Sequence, residues 1–173
     1  MPELRLLTPA DAAIFRDLRL RALREDPVAF TSSTEEFSHQ TLDKIAARFR
    51  SDPVESFMLG AFQERQLVGL VGFYREAQIK LRHKGSIVSM YVAAEARGQG
   101  LGRSLLCDAI RRVREIQGVE NLLLGVMTTQ TAARKLYESL GFEVYGREAR
   151  ALCLDGQYYD EEFRVLDLRE NLP

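Results

Sequence analysis

Apolar residues along this chain repeat with two periods, and the switches between them mark out the elements. Glu3 to Leu7 alternates as a short strand. Thr8-Pro9 then reads as a helix N-cap followed by proline in the first turn. Ile14, Leu18 and Ala22 share one face of the predicted helix, which ends before Asp26-Pro27. Ser33 to Glu36 fits a capping box, and Leu42, Ile45, Ala46 and Phe49 carry helical spacing up to the stop at Asp52-Pro53. Ser56 to Phe62 and Leu67 to Arg75 form a predicted β-hairpin across the polar stretch Gln63 to Gln66. Lys80 to Lys84 is a basic connection into a strand over Ser86 to Val92.

A helix from Gly102 to about Gln117 buries Leu105, Leu106, Ala109, Ile110 and Val113. Asn121 to Val126 is a short apolar strand, and Thr131 to Leu140 a helix closed by Gly141. Phe142 to Leu154 and Gln157 to Leu168 pair around Asp155-Gly156, a strong turn signal. The order β-α-α-β-β-β-α-β-α-β-β predicts an α/β (α+β) fold: a mixed, mostly antiparallel sheet with helices on both faces.

Composition narrows the class without naming a chemistry. With 173 residues, 46% hydrophobic and 28% charged, the chain fits one globular domain spanning 1–173. A formal net charge of −1 gives no bulk attraction to nucleic acid or to an anionic membrane. No apolar run suits a membrane span and the N-terminal residues carry no signal-peptide pattern, so a cytoplasmic location is expected. Cys107 and Cys153 lack C-x-x-C spacing and read as reduced thiols, partly in the core, with no metal site implied.

Two motifs carry chemistry. The first is the stretch from Val92 to Gly102, with Gly98, Gly100 and Gly102 at a strand-to-helix junction flanked by Arg97 and Arg103. Amides there can face an anion with no side chain in the way, and the helix N-terminus adds partial positive charge. A phosphate or pyrophosphate ligand follows. The loop lacks G-x-x-x-x-G-K-[ST], and it follows the fourth strand rather than opening the fold, so neither a P-loop nor a Rossmann fingerprint applies. The second motif runs from Thr131 to Phe142 and sets Tyr137 late in a short helix that ends Gly141-Phe142. Its phenol either packs in the core or gives a proton to a leaving thiolate.

Together, in this order and one short strand apart, the motifs resemble the GNAT superfamily of acyl-CoA-dependent N-acyltransferases. The family loop Q/R-x-x-G-x-G/A is matched by Arg97, Gly100 and Gly102, and its later helix by Leu136, Tyr137, Gly141 and Phe142. The resemblance implies a seven-stranded sheet splayed between its fourth and fifth strands, with acetyl-CoA as co-substrate in the gap and no metal. It implies that Met90, Tyr91 and Val92 bond the pantetheine arm. Gly98, Gln99, Gly100, Leu101, Gly102, Arg103 and Ser104 would hold the pyrophosphate, helped by Arg97. Arg134 and Lys135 are candidates for the adenosine-side phosphate. The family's asparagine near the later helix is replaced by Thr129, Gln130 or Thr131, and Thr131 keeps a hydroxyl.

By the same resemblance, Tyr137 is the expected acid. Family members that acetylate ribosomal-protein N-termini carry a glutamate base on the fifth strand, where this chain has Gly125. Base candidates are therefore Glu76, His83 and the Glu161-Glu162 pair, each of which also suits an ordinary solvent-facing role. Phe30 to Glu36, Arg75, Tyr158 and Tyr159 are candidates for the acceptor pocket. The expected activity is direct acetyl transfer to a primary amine of a small molecule or peptide. The alternative is an acyl-CoA-binding sensor without turnover. Apolar outer faces on the last hairpin would suit a homodimer.

Overall fold

The computed structural model describes residues 2–169. One seven-stranded sheet runs through it: β1 (Glu3–Leu6), β2 (Ser56–Gln63), β3 (Gln66–Arg75), β4 (Lys84–Val92), β5 (Asn121–Met127), β6 (Glu143–Leu154) and β7 (Gln157–Asp167). The spatial order is β1-β2-β3-β4-β5-β7-β6. All neighbours are antiparallel except β4 and β5, which run parallel.

That parallel pair is the feature that makes a site. It is bonded only where Lys84 to Ser86 face Asn121 to Leu123. Beyond Ser86 the two strands separate. A bulge causes the divergence: Leu70 and Gly72 of β3 face Tyr91 and Val88, so β4 carries a surplus residue, and Ser89 there has φ of 56°. An extra residue bends its strand and sharpens the twist, which turns the end of β4 away from β5.

Among the described residues, five α-helices cover the sheet: α1 (Ala12–Glu25), α2 (Thr34–Ser38), α3 (Leu42–Arg48), α4 (Leu101–Arg114) and α5 (Thr131–Ser139). On one face, Phe15 of α1 meets the rings of Phe37 and Phe49 edge-on at 6.3 and 5.1 Å. On the other, α4 buries Leu105, Leu106, Ala109, Ile110 and Val113, the stripe its spacing predicts.

Three expectations need correction. Ile14 is 40% exposed, and the buried face of α1 is Phe15, Leu18, Ala22 and Leu23, with Arg19 among them. The aromatic Phe15 takes the inward position, and rotating the helix toward it turns Ile14 out. The capping box holds, with Glu36 N donating to Ser33 Oγ and Ser33 N to Glu36. The helix it starts ends at Ser38, however, and a separate α3 begins under a Thr41 cap. Cys107 and Cys153 are both exposed, on the outer face of α4 and on the outermost strand β6. Val144, Tyr145 and Tyr158 are exposed on the last hairpin. No helix among the described residues is long and apolar enough to cross a membrane.

Candidate functional site

The gap between β4 and β5 is a cavity of about 450 Å³. Ile87 to Val92 form one wall and Leu124 to Met127 the other, with Leu136 and Tyr137 of α5 lining it too. The main chain of β4 here has lost its β5 partner, so an extended ligand can pair with it as a missing strand would. Asp26, at the end of α1, accepts a hydrogen bond from Gln130 Nε2 at 2.9 Å, and both residues line the cavity.

The glycine loop closes one end. After a short 3₁₀ turn over Ala94–Ala96, Gly98 and Gly100 take φ of 75° and 76°. That left-handed conformation is open to glycine and strained for most other residues. A Cβ at either would meet nothing within 4 Å, so the space over the loop is free. Among the described residues, the amides from Gly98 through Arg103 donate to no main-chain or side-chain acceptor. Unpaired amides at the start of a helix such as α4 can cradle an anion.

The loop's side chains are mostly committed to holding its shape. Arg97 Nε donates to Val92 O at 2.9 Å, and its guanidinium lies 5.7 Å from the Tyr91 ring. Gln99 bonds Glu95 O and accepts from Gln63. Ser104 Oγ donates to Gly100 O. Arg103 reaches across to Ser139 Oγ at 2.9 Å, tying α4 to α5. Gly102 sits against Met90 and Leu136, where a Cβ would come within 3.3 Å of Met90 Cε. Tyr91 turns inward, and its hydroxyl donates to Glu25 at 2.5 Å, fastening β4 to α1. Met90 and Val92 line the cavity.

Two expected contacts fall elsewhere. Thr131 is exposed and outside the cavity lining, where Gln130, Ala132 and Ala133 stand instead. Arg134 is turned away from the loop. It makes a two-pronged pair with Glu162 at 2.7 and 3.1 Å and donates to Thr128 O. Burial would raise the Glu162 carboxyl, but Arg134 and Arg164 outweigh it and hold it below the usual carboxylate value. This is a structural brace between α5 and β7. Replacing Arg134 with methionine should lower stability by about 1–2 kcal/mol in urea denaturation, since charged hydrogen bonds are lost. Affinity for the cavity's ligand should stay within twofold.

Tyr137 is 6% exposed and packs edge-on against Phe142 at 5.9 Å. It lines the cavity, and among the described residues its hydroxyl has no hydrogen-bond partner. Burial pushes its phenol up to about 12, so it carries its proton throughout the neutral range.

The base candidates separate by position. Glu76 and His83 flank the start of β4, at the end away from the glycine loop, and neither lines the cavity. His83 O accepts from the amides of Glu120 and Asn121, which anchors the start of β5. Glu162 is held by its two arginines. Glu161 differs. It too is outside the residues lining the cavity, but it projects from the opposite face of β7 to Glu162, and its carboxyl lies beside Gly125, which does line the cavity and where a Cβ would collide with it. Burial first, and the charge of Glu148 second, raise its pKa above the ordinary value. The missing side chain of Gly125 thus makes room for a carboxylate from the neighbouring strand.

A second cavity, of about 360 Å³, meets the first at Val88 and Ser89. Arg19, Ser32, Phe37, Gln40 and Arg48 line it. Of the residues expected around an acceptor, Phe30 lines the first cavity and Ser32 the second, while Glu36 is spent on its cap. Arg75 bonds Arg82 O and Gln117 O at the far end of the sheet. Tyr158 is half exposed under the Arg150 guanidinium at 3.8 Å, and Tyr159 lines neither cavity. Arg19 and Arg48 escaped the sequence reading. The signal for Arg19 was a cation four residues from both Phe15 and Leu23, on an otherwise apolar face. Among the described residues no group of His, Cys, Asp and Glu is placed to hold a metal ion.

Residues 19–142 match the family model described as Acetyltransferase (GNAT) family. The chain is 34% identical over 80 residues to the L-methionine sulfoximine/L-methionine sulfone acetyltransferase of Pseudomonas aeruginosa, covering 46% of each chain. It spans less than half the length of that protein and of the other curated relatives with comparable identity. Among solved structures, the ribosomal-protein-alanine N-acetyltransferase of Brucella melitensis is 28% identical with a TM-score of 0.76, covering 95% of this chain and 99% of that one. The yncA structure from Salmonella typhimurium, solved with its cofactor acetyl-CoA, is 24% identical with a TM-score of 0.80, covering 100% and 97%.

Proposed function

The chain belongs to the GNAT acetyltransferase family, and from that premise we propose that it moves an acetyl group from acetyl-CoA to a primary amine by direct transfer. The observation that carries this is the pairing of an amide cradle with an unpaired strand edge. Gly98 through Arg103 present free N–H groups, and Met90 to Val92 line the adjoining gap. A diphosphate suits the first and a chain of amides suits the second. The name of the Pseudomonas relative and the acetyl-CoA in the Salmonella structure support the same donor and a small amine as acceptor.

In this reading Glu161 removes a proton from the bound ammonium, directly or through one water. The freed nitrogen forms a bond to the thioester carbonyl carbon as the carbon–sulfur bond breaks. Tyr137 gives its proton to the departing sulfur, the nitrogen's second proton passes to the Tyr137 oxygen through water, and Glu161 releases the proton it took to solvent. Neither Cys107 nor Cys153 lines the cavity, so no acetyl-cysteine step is built into the site.

The purified chain should melt several degrees higher with saturating coenzyme A, as expected for a ligand that binds only the folded state. ADP should give a smaller rise. With acetyl-CoA and an amine panel it should release free thiol, read by a colorimetric reagent. Stabilisation without thiol release would make the protein an acyl-CoA sensor. Equal stabilisation by simple nucleotides would defeat the coenzyme A reading.

A further inference from the structure

The second cavity holds an unanswered charge. Arg19 is 8% exposed, its Nη1 is sealed from water, and that nitrogen has no hydrogen-bond partner. Its guanidinium lies 4.2 Å over the Phe30 ring, which offers a weak attraction but no acceptor. No Asp or Glu is among the residues lining the cavity. The second cation there is Arg48 on the rim, and among the described residues it makes no ion pair either. Burial, with the repulsion of Arg48 added, pulls the Arg19 guanidinium down to about 10, so it remains charged at neutral pH. Oε1 of Gln40, in the same lining, is also buried without a partner. A buried cation without an anion is costly unless something brings one. Among the described residues the other buried charged side chains are paired: Arg164 has Glu162 and Asp11 has Arg5.

Resting on the acetyl-transfer reading, we propose that the acceptor is a small amine bearing an acidic group, a carboxylate or a tetrahedral oxyacid, which Arg19 and Arg48 hold. Gln40, in the same lining, can donate to that acidic group only through its Nε2 hydrogens. The amine end then points toward Val88 and Ser89, the two residues that this cavity shares with the cleft between β4 and β5. A cavity of about 360 Å³ fits a molecule of amino-acid size. Two arginines with no carboxylate repel a diamine, whose second charge would sit where the anion belongs.

The test uses matched amines: α-amino acids, their carboxamides, and diamines of similar length, each with acetyl-CoA and the full chain. The acids should exceed the carboxamides in kcat/KM by roughly a hundredfold, as for a buried charge that loses its partner. That ratio should fall to within threefold in Arg19→Gln and recover partly in Arg19→Lys. If Arg19→Gln does not fold, Arg48→Gln at the exposed rim should still lower the ratio. Calorimetry gives a reading free of turnover, because N-acetylated amino acids should bind the wild-type chain and not Arg19→Gln. Carboxamides or diamines acetylated as fast as the acids would overturn the inference and leave acetyl transfer standing. Thiol release from no amine, with the N-acetylated acids still binding, would overturn the transfer reading and support the anion site. Failure of those acids to bind would overturn the anion site itself.

Discussion

Tyr137→Phe should cut kcat by about 10²–10³ while leaving the affinity for coenzyme A within twofold. General acid catalysis contributes about 10²–10⁴ in comparable reactions, and the substitution removes only the proton. The ring stays, still packed edge-on against Phe142. Because the hydroxyl has no partner among the described residues, the melting temperature should hold or rise slightly. Burial pushes the Tyr137 phenol up to about 12, so no basic limb from it should appear below pH 9. Steady-state thiol release and a thermal melt read both quantities. Full turnover in the phenylalanine variant would exclude the acid role.

Glu161→Gln should lower kcat/KM by about 10² at neutral pH. The pH profile is the sharper measurement. Burial and Glu148 raise the Glu161 carboxyl above its ordinary value. The group works as a base only when ionised. Activity should therefore be high above its folded pKa and fall as pH drops through it, with the acid limb set above the usual carboxylate range. Glu148→Gln removes the repulsion and should move that limb to lower pH with little loss at the plateau. In Glu161→Gln the limb should be gone, leaving only the slope from the amine. An unchanged limb in that variant would return the search to Glu76, which stands outside the cavity.

How much of this was legible beforehand depended on the range of the interaction. The Ser33 cap and the Asp155-Gly156 turn are fixed by residues within four positions of each other, and they appear where the spacing put them. The glycine loop was readable because its chemistry is main-chain and local. Arg134 misled because it lies beside the loop in sequence and shares its charge logic. The pull of Glu162, 28 residues away on β7, settles its direction instead. Gly125 misled in the opposite sense. A missing side chain on β5 reads as a missing base until the register with β7 sets Met127 opposite Glu161 and brings that carboxyl over the glycine. Nothing near Glu161 in the chain announces that pairing. Glu76 and His83 stand at the end of β4 away from the glycine loop, and the sequence alone does not say at which end of that strand the gap opens.

The short seam between β4 and β5 has a mechanical meaning as well. Lys84 to Ser86 against Asn121 to Leu123 joins two plates, one made of β1 to β4 and the other of β5 to β7. In the main chain the plates are fastened at one end, like the blades of shears, and the Gln130–Asp26 hydrogen bond ties the two halves across the cleft. A small rotation at the pivot grows along each blade and is largest at Val92 and Met127. The same leverage makes the width of the aperture answer to whatever loads the pivot.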